Sequence, residues 1–366
     1  MIINIVHDCI DPTRGGIESL AYYLLLELTQ YYTVDGISVT IEDDSYKVDN
    51  IRYIDSELDY KVQRWKWLKN ICANKREVIN IAMTWQSAIP CLLCYVIYKA
   101  PFIVFAHGNE VYFNAHNKKL YTCIKKIGAK LILDKARYIC CNSVFTKNLV
   151  SKISKNKNTL IIHPGIHFIE NYTKTERNYS LLSLGRLVER KGVQFVVQAI
   201  PQLRKKYPGL KYFIAGDGKY RDSINRLIQE NNLEDCVFLV GRVSEEEKAR
   251  YFKQCDIFLM PSIDMPQQDS VEGFGMVYIE ANMYGKYVVA SNTGGISDAV
   301  IDGETGTLLN NVSVKEIERI VEDIYNRFDY IYSEKSIERR IRWAQKHSFK
   351  NIAMEHIKLL KSIDNS

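Results

Sequence analysis

At 366 residues the chain is too long for one ordinary core, and at 46% hydrophobic and 25% charged residues it is not a disordered one. Its net charge of +6 is too mild to mark a nucleic-acid binder by itself and suits anionic ligands or a membrane surface. Nine cysteines include Cys91 and Cys94 at CxxC spacing, but no second pair completes a zinc site, so they read as buried free thiols of a reducing compartment.

The chain opens with an apolar run at 2–7, a strand, and a turn-rich loop at 8–16 that ends in Gly15-Gly16. Ile17, Leu20, Ala21, Leu24, Leu25 and Leu28 then fall at the spacing of one helix face. No basic stretch followed by a long apolar run stands at the N-terminus, so no signal peptide is expected. The most apolar segment, 88–106, is broken by Pro90, Lys99 and Pro101, which predicts a buried helix followed by a strand instead of a membrane span. A cytoplasmic protein is the expectation.

Further apolar runs lie at 78–83, at 102–106, where His107-Gly108 follows, and at 138–141, where NSVFTKNLV starts a helix. Repeated strand–helix units favour a mostly parallel sheet. The pattern breaks at 163–180, where HPGIH and the polar ENYTKTERNYS read as an interdomain connection. Strands resume at 181–184, 211–215, 237–240, 257–260 and 287–290. Helices alternate with them at 193–207, after GDGKYRDS, in SEEEKARYFKQC behind a capping box of Ser244 and Glu247, and from about Phe274. From 337 onward the chain is helical and basic. The fold class expected is α/β, two facing doubly wound Rossmann-like domains with a cleft between them. Ligands of such sheets bind at the carboxyl ends of the strands, where Gly15-Gly16, Gly185, Gly216, Gly218, Gly273, Gly275, Gly294 and Gly295 recur.

Four segments carry residues with chemistry. In DSVEGFGMVYIEANMYG, Glu272 and Glu280 flank a Gly-Phe-Gly turn. Eight residues of helix separate two carboxylates by about 12 Å, a span that fits sugar, diphosphate and ribose, with the amide groups of the helix start on the phosphates. The plainer alternative makes Glu272 a helix-start charge and Glu280 a solvated one. In SLGRLVERKGVQ, Arg186 and Lys191 offer a fork and a point charge to an anionic leaving group, or are surface cations; Arg190 is set aside as a surface charge. In PTRGGIESL, Gly15 and Gly16 open a helix and either receive an anion or simply turn the chain. In FIVFAHGNEVY, His107 ends a strand and either meets a sugar hydroxyl or is structural.

Together these residues resemble glycosyltransferase family 4, retaining enzymes of the GT-B fold, along nearly the whole chain. The likeness is highest at 181–309, where LGRLVERKGV, AGDGKYRDSI, VGRVSEEE, PSIDMPQQDSVEGFGMVYIEA and SNTGGISDAVIDGETGTLL follow in the family's order. The resemblance implies an acceptor-side domain at 1–167, with a C-terminal helix at about 345–366 packing back on it, and a nucleotide-sugar-binding domain at 168–344. It implies that Gly16, beside Gly15, approaches the donor diphosphate and that His107 contacts the transferring sugar. Arg186 and Lys191 would neutralise the leaving diphosphate, and Glu272 would bind sugar hydroxyls. The backbone of Phe274, Gly275 and Met276 would hold sugar and phosphate, Glu280 the ribose, and Val243 would lie near the base. Glu110 is a further candidate. HPGIH departs from the family's hinge, so His163 and His167 carry no transferred role, and the loop 263–271 is extended and is a candidate acceptor contact.

No DxD is present, so neither a metal nor another cofactor is expected. The function implied is retaining transfer of a hexosyl group from a UDP or GDP sugar to a saccharide acceptor, lipid-linked, in bacterial surface polysaccharide biosynthesis (O-antigen, capsule or exopolysaccharide). Basic and aromatic residues mingle in YKVQRWKWLKN and KKLYTCIKKIGAKLILDKAR, which suits peripheral contact with the anionic inner face of a membrane or merely solvated helix faces. A nucleotide-sugar 2-epimerase of the same fold and a non-catalytic saccharide-binding protein are the alternatives.

Overall fold

The structure, a computed structural model, describes the chain except residues 1, 13, 35–37, 41–45, 49–59, 75–77, 114–118, 171, 173–175, 269 and 365–366. Of the segments read above, Lys118, Asp269 and parts of the connection therefore fall outside the described residues, as do the side chains of 60–64 and Trp67. The chain divides into two compact units, one of Met1–Gly165, Gln267–Asp269 and Phe349–Ser366, the other of Ile166–Pro266 and Ser270–Ser348.

The first unit begins with β1 (Ile2–Cys9) and α1 (Gly16–Thr29), which buries Leu20, Ala21, Leu24, Leu25 and Leu28, the stripe its spacing predicts. β2 (Thr33–Val34), β3 (Ser38–Thr40), α2 (Tyr60–Asn74) and β4 (Val78–Ala82) follow. Then come α3 (Ile89–Tyr98), β5 (Phe102–Ala106), α4 (Lys119–Lys135), β6 (Tyr138–Cys141), α5 (Val144–Ser151) and β7 (Thr159–Ile161). The strands form one parallel sheet in the order β2-β1-β4-β5-β6-β7, with β3 also on β1. Residues 78–82 and 102–106 are buried throughout, as continuous apolar runs covered on both faces must be.

One expectation fails here. The segment read as a buried helix buries Pro90, Cys91 and Cys94, but Ile89, Leu93, Val96 and Ile97 are exposed. A helix lying on the outside of a sheet can bury only one side, and uniform apolarity does not reveal that the other side lacks a partner.

The second unit alternates regularly. It contains β8 (Ser180–Leu184), α6 (Val193–Lys206), β9 (Lys211–Ala215), α7 (Arg221–Glu230), β10 (Val237–Gly241), α8 (Glu245–Gln254) and β11 (Ile257–Met260). It continues through α9 (Met276–Met283), β12 (Tyr287–Ser291), α10 (Ile296–Ala299), β13 (Gly306–Leu309), α11 (Val314–Asn326), α12 (Phe328–Ile331) and α13 (Glu334–Lys346). Its sheet is parallel in the order β10-β9-β8-β11-β12-β13. The chain builds outward from β8 on one side and from β11 on the other, so the winding reverses between these two strands. A ligand crevice of a doubly wound sheet opens at such a reversal.

A second expectation is corrected at α9, which starts at Met276 and not near Phe274. Gly275 sits at φ +97, and a Cβ there would collide with the Tyr278 ring, so the backbone breaks helical geometry one residue ahead of the helix. Glu272 thus lies in the preceding loop, and a helical rise does not measure its distance from Glu280. The last element, α14 (Phe349–Asp364), belongs to the core of the first unit, where Ile352, Ile357 and Leu360 join Ile3, Ile5 and Leu24. Phe349 stacks on Tyr23 at 4.2 Å.

Candidate active site

In the first unit, parallel strands bring the residues after β1, β4 and β5 to one edge. His107 follows β5, and its Nε2 lies 2.8 Å from the carbonyl oxygen of Met83, just beyond β4. A carbonyl only accepts, so Nε2 carries the proton and Nδ1 is left as an acceptor, the form that takes a hydrogen bond from a sugar hydroxyl. Burial lowers the imidazole below its ordinary value, against the nearby charge of Glu110, and keeps it neutral at physiological pH. Glu110 shapes this turn: its Oε1 accepts from the His107 amide at 2.5 Å, and its own carbonyl accepts from Trp85 Nε1 at 2.8 Å.

Gly15 and Gly16 stand where α1 begins, and Gly15 is extended, so room and not an unusual dihedral is what it supplies. The Glu18 carboxylate folds over Gly15, and a Cβ there would meet its Oε2 at 2.7 Å, the movable end of that side chain. His7, in β1, is 7% exposed, and its Nε2 lies 3.8 Å from Glu18 Oε1, ion-pair range but too long for a hydrogen bond. Burial raises the Glu18 carboxyl, and His7, a backbone amide of Glu18 itself and His107 together outweigh it to leave the group below its ordinary value. Neither His7 nor Glu18 was singled out from the sequence. The signal was present, since IINIVH and FIVFAH are the same pattern, an apolar strand ending in histidine.

In the second unit, Glu272 sits in the loop after β11 and meets the turn after β8, across the reversal of the sheet. Its Oε2 accepts from Arg190 Nη1 at 2.7 Å and from Lys191 Nζ at 2.6 Å. All three side chains are largely buried, at 13%, 6% and 13% exposure for Glu272, Arg190 and Lys191. Burial raises the Glu272 carboxyl, but Lys191 and Arg190 overwhelm that and hold it at about 2. Burial lowers the Lys191 ammonium below its ordinary value despite the carboxylate beside it. Arg186 stands exposed at the end of β8, close enough for its charge to be felt at Lys191.

The backbone fixes this arrangement. The Arg190 carbonyl accepts from the Ile263 amide at 2.7 Å, tying the two loops together. The Glu272 carbonyl accepts from the Gly295 amide at 2.8 Å. Gly294 has φ +58, and a Cβ there would strike that same carbonyl. Setting Arg190 aside as a surface charge is therefore corrected: it is 5% exposed, and its partner lies 82 residues away in sequence, beyond any local pattern.

Glu280 projects from α9 to Lys248 of α8 at 3.1 Å, and Lys248 also reaches Glu245 at 2.7 Å. Burial lowers the Lys248 ammonium, but Glu280 and Glu245 outweigh it and hold it charged. The capping box forms as expected, with Glu247 N donating to Ser244 Oγ at 3.2 Å and Ser244 N to Glu247 Oε2 at 2.9 Å. Phe274 is 2% exposed, its ring packed into the core; Met276 and Val243 are half-buried against the same core. The structure thus joins Glu272 with Lys191 and Arg186 at one end of the second sheet. Gly15, Gly16, His107 and Glu110 belong to the first unit.

The family described as glycosyl transferases group 1 matches residues 167–341. A GDP-mannose-dependent alpha-(1-6)-phosphatidylinositol monomannoside mannosyltransferase of Mycolicibacterium smegmatis is 33% identical over 144 residues, 39% of this chain and 38% of that protein. The chain thus spans well under half the length of that relative. One component of the human phosphatidylinositol N-acetylglucosaminyltransferase is 25% identical over 342 residues, 86% of this chain and 66% of that protein. Among solved structures, Anabaena HepE in complex with UDP superposes with a TM-score of 0.76 at 17% identity, over 99% of this chain and all of that one.

Proposed function

We propose, from the premise that residues 167–341 belong to the group 1 glycosyl transferases and that the fold is GT-B, that the chain moves a hexosyl group from a UDP or GDP sugar to a saccharide acceptor. The observation that carries this reading is the Arg190–Glu272–Lys191 cluster at the reversal of the second sheet. Both cations bind one oxygen of Glu272, which directs Oε1 to accept from hydroxyls of the donor sugar. Lys191 and Arg186 draw off negative charge as the bond from the anomeric carbon to the diphosphate breaks. The amides of 274–276 take phosphate oxygens and Glu280 the ribose diol, with Lys248 keeping that carboxylate ionised and oriented. Val243 lies toward the base.

In the reaction proposed, the acceptor oxygen bonds to the anomeric carbon on the face the diphosphate leaves, retaining configuration. The acceptor's proton passes to the departing phosphate oxygen, so no metal or protein base is called for. Neutral His107, with Gly16 and Gly15, serves the transferring sugar and diphosphate, and Glu110 acts by fixing the His107 turn. Both curated relatives carry phosphatidylinositol in their names, which supports a lipid-linked acceptor, here in surface polysaccharide assembly. Among the described residues no helix is long and apolar enough to cross a membrane.

The test is nucleoside diphosphate release from a panel of UDP and GDP sugars, with and without saccharide acceptors. Acceptor-dependent release from one donor is expected, falling roughly a hundredfold or more in Lys191→Ala. Binding of saccharide with no turnover of any donor would refute the transferase reading, and an epimerised sugar formed without acceptor would replace it.

A further inference from the structure

We propose that the outer face of α3 and α4 docks the protein onto an anionic lipid surface. The inference deepens the reading above and rests on it only for the reason a membrane would be useful. Of the fifteen large hydrophobic side chains that stand exposed among the described residues, nine lie on these two helices. On α4 Leu120, Ile124, Ile127 and Leu131 repeat at i, i+4, i+7 and i+11, and are 77%, 60%, 56% and 58% exposed. The opposite side of α4 is buried through Ala129, Ile132 and Leu133. On α3 Ile89, Leu93, Val96 and Ile97 make the same kind of stripe. Successive right-handed crossovers from β4 to β5 to β6 put both helices on one face of the sheet, where they pack side by side. Two neighbouring apolar stripes exceed the scattered exposure normal for a soluble protein.

Charge decides the occupant. α4 contains five lysines and one acid, Asp134, which Lys130 engages at 2.6 Å. α3 is uncharged, and α2, packed against it, has four basic residues and no acid. Beside the ends of α3 and α4 a cavity of about 710 Å³ is lined by Lys99, Lys135, Arg137 and Lys155, with Asp134 its one acid. Protein interfaces exclude lysine from their apolar centres, whereas an interfacial membrane helix sets an apolar stripe between lysines and places tyrosine at the boundary. Tyr121, 56% exposed and lying 4.4 Å beneath the Lys125 ammonium, meets that description. The α3–α4 stripe enters the acyl boundary, while the flanking cations and the cavity take lipid phosphates.

Flotation of the full chain with vesicles tests this. Wild type should float with phosphatidylcholine–phosphatidylglycerol vesicles and far less with phosphatidylcholine alone. Ile127→Glu/Leu131→Glu should abolish flotation, and Lys125→Gln/Lys126→Gln should weaken it about 25-fold, from about fivefold per basic side chain. The thermal midpoint of each variant should stay at the wild-type value, since all four residues lie on the outer side. Wild type that stays at the bottom of the gradient, or variants that float as well as wild type, would overturn the proposal. So would a wild-type dimer in size-exclusion chromatography that Ile127→Glu/Leu131→Glu converts to monomer, since a second copy would then be the occupant. Donor turnover on a soluble saccharide is scored separately: flotation without turnover sinks the transferase reading alone, and turnover without flotation sinks the docking face alone.

Discussion

Glu272→Ala is the perturbation whose size the structure fixes best. The two cations beside it lower its carboxyl from 4.5 to about 2, and each unit of such a shift is worth about 1.4 kcal/mol, so the ionised carboxylate is favoured in the folded chain by roughly 3 kcal/mol. Removing it leaves Arg190 and Lys191, 6% and 13% exposed, repelling each other without a counter-charge, a loss of about 3–5 kcal/mol by analogy with other broken buried pairs. For a unit of this size that is a fall of roughly 6–20 °C in melting temperature. Differential scanning calorimetry of Glu272→Ala should show it in one transition, with the other unmoved. Arg190→Met/Glu272→Met should recover part of the loss, because it removes charge of both signs and restores apolar volume. A melting temperature for Glu272→Ala within about 1 °C of wild type, or a double variant no better than the single one, would show that the cluster does not hold this loop in solution. A practical consequence is that lost activity in Glu272→Ala cannot be assigned to lost sugar contacts until folding is checked; Glu272→Gln, which keeps the volume and a hydrogen-bond acceptor, is the better probe of chemistry.

The same group sets an acid limit: its lowered carboxyl contributes stability that is full above about pH 4.5 and is lost as pH falls toward about 2, measurable by urea unfolding across that range. His356, in α14, contributes in a higher window. Burial drops its imidazole to about 4 from 6.5, so it costs nothing above pH 6.5, and as pH falls to 4 the unfolded chain takes up a proton the folded one refuses, a loss of stability of about 3 kcal/mol. His356→Phe should flatten that slope in the first unit, and an unchanged slope would contradict the assignment. Gly294→Ala should destabilise the second unit by more than about 2 kcal/mol in chemical denaturation and lower donor turnover with it, because the methyl group pushes on the Glu272 carbonyl. Glu280→Ala should weaken nucleoside diphosphate binding in calorimetry and leave the fold standing, since Glu280 is only partly buried and Lys248 retains Glu245.

The sequence carries the sheets well because parallel, doubly covered strands are continuous apolar runs; residues 102–106, 138–141, 211–215 and 257–260 coincide with their strands. β2 and β3, two and three residues long, offer no such run. Glu272, Lys191 and His107 are legible as chemistry in loops at strand ends, and Glu280 as a carboxylate on the helix that follows, but their partners are not. Arg190 and Lys248 look like any surface cation until the fold brings a carboxylate 82 or 32 residues distant against them. The start of α9 was misplaced because Gly275 is compatible with a helix in composition and incompatible with it only through its positive φ. The apolarity of α3 was plain, while its missing cover depends on which neighbours the topology supplies.

The central claim, a diphosphate sugar held where β8 and β11 diverge, is tested most directly by hydrogen–deuterium exchange with UDP or GDP bound. Slowed exchange at the segments around 185–192 and 272–280, whatever else the nucleotide touches, is the result predicted. Ligand binding that leaves those two segments unprotected, or protects only distant ones, would contradict it.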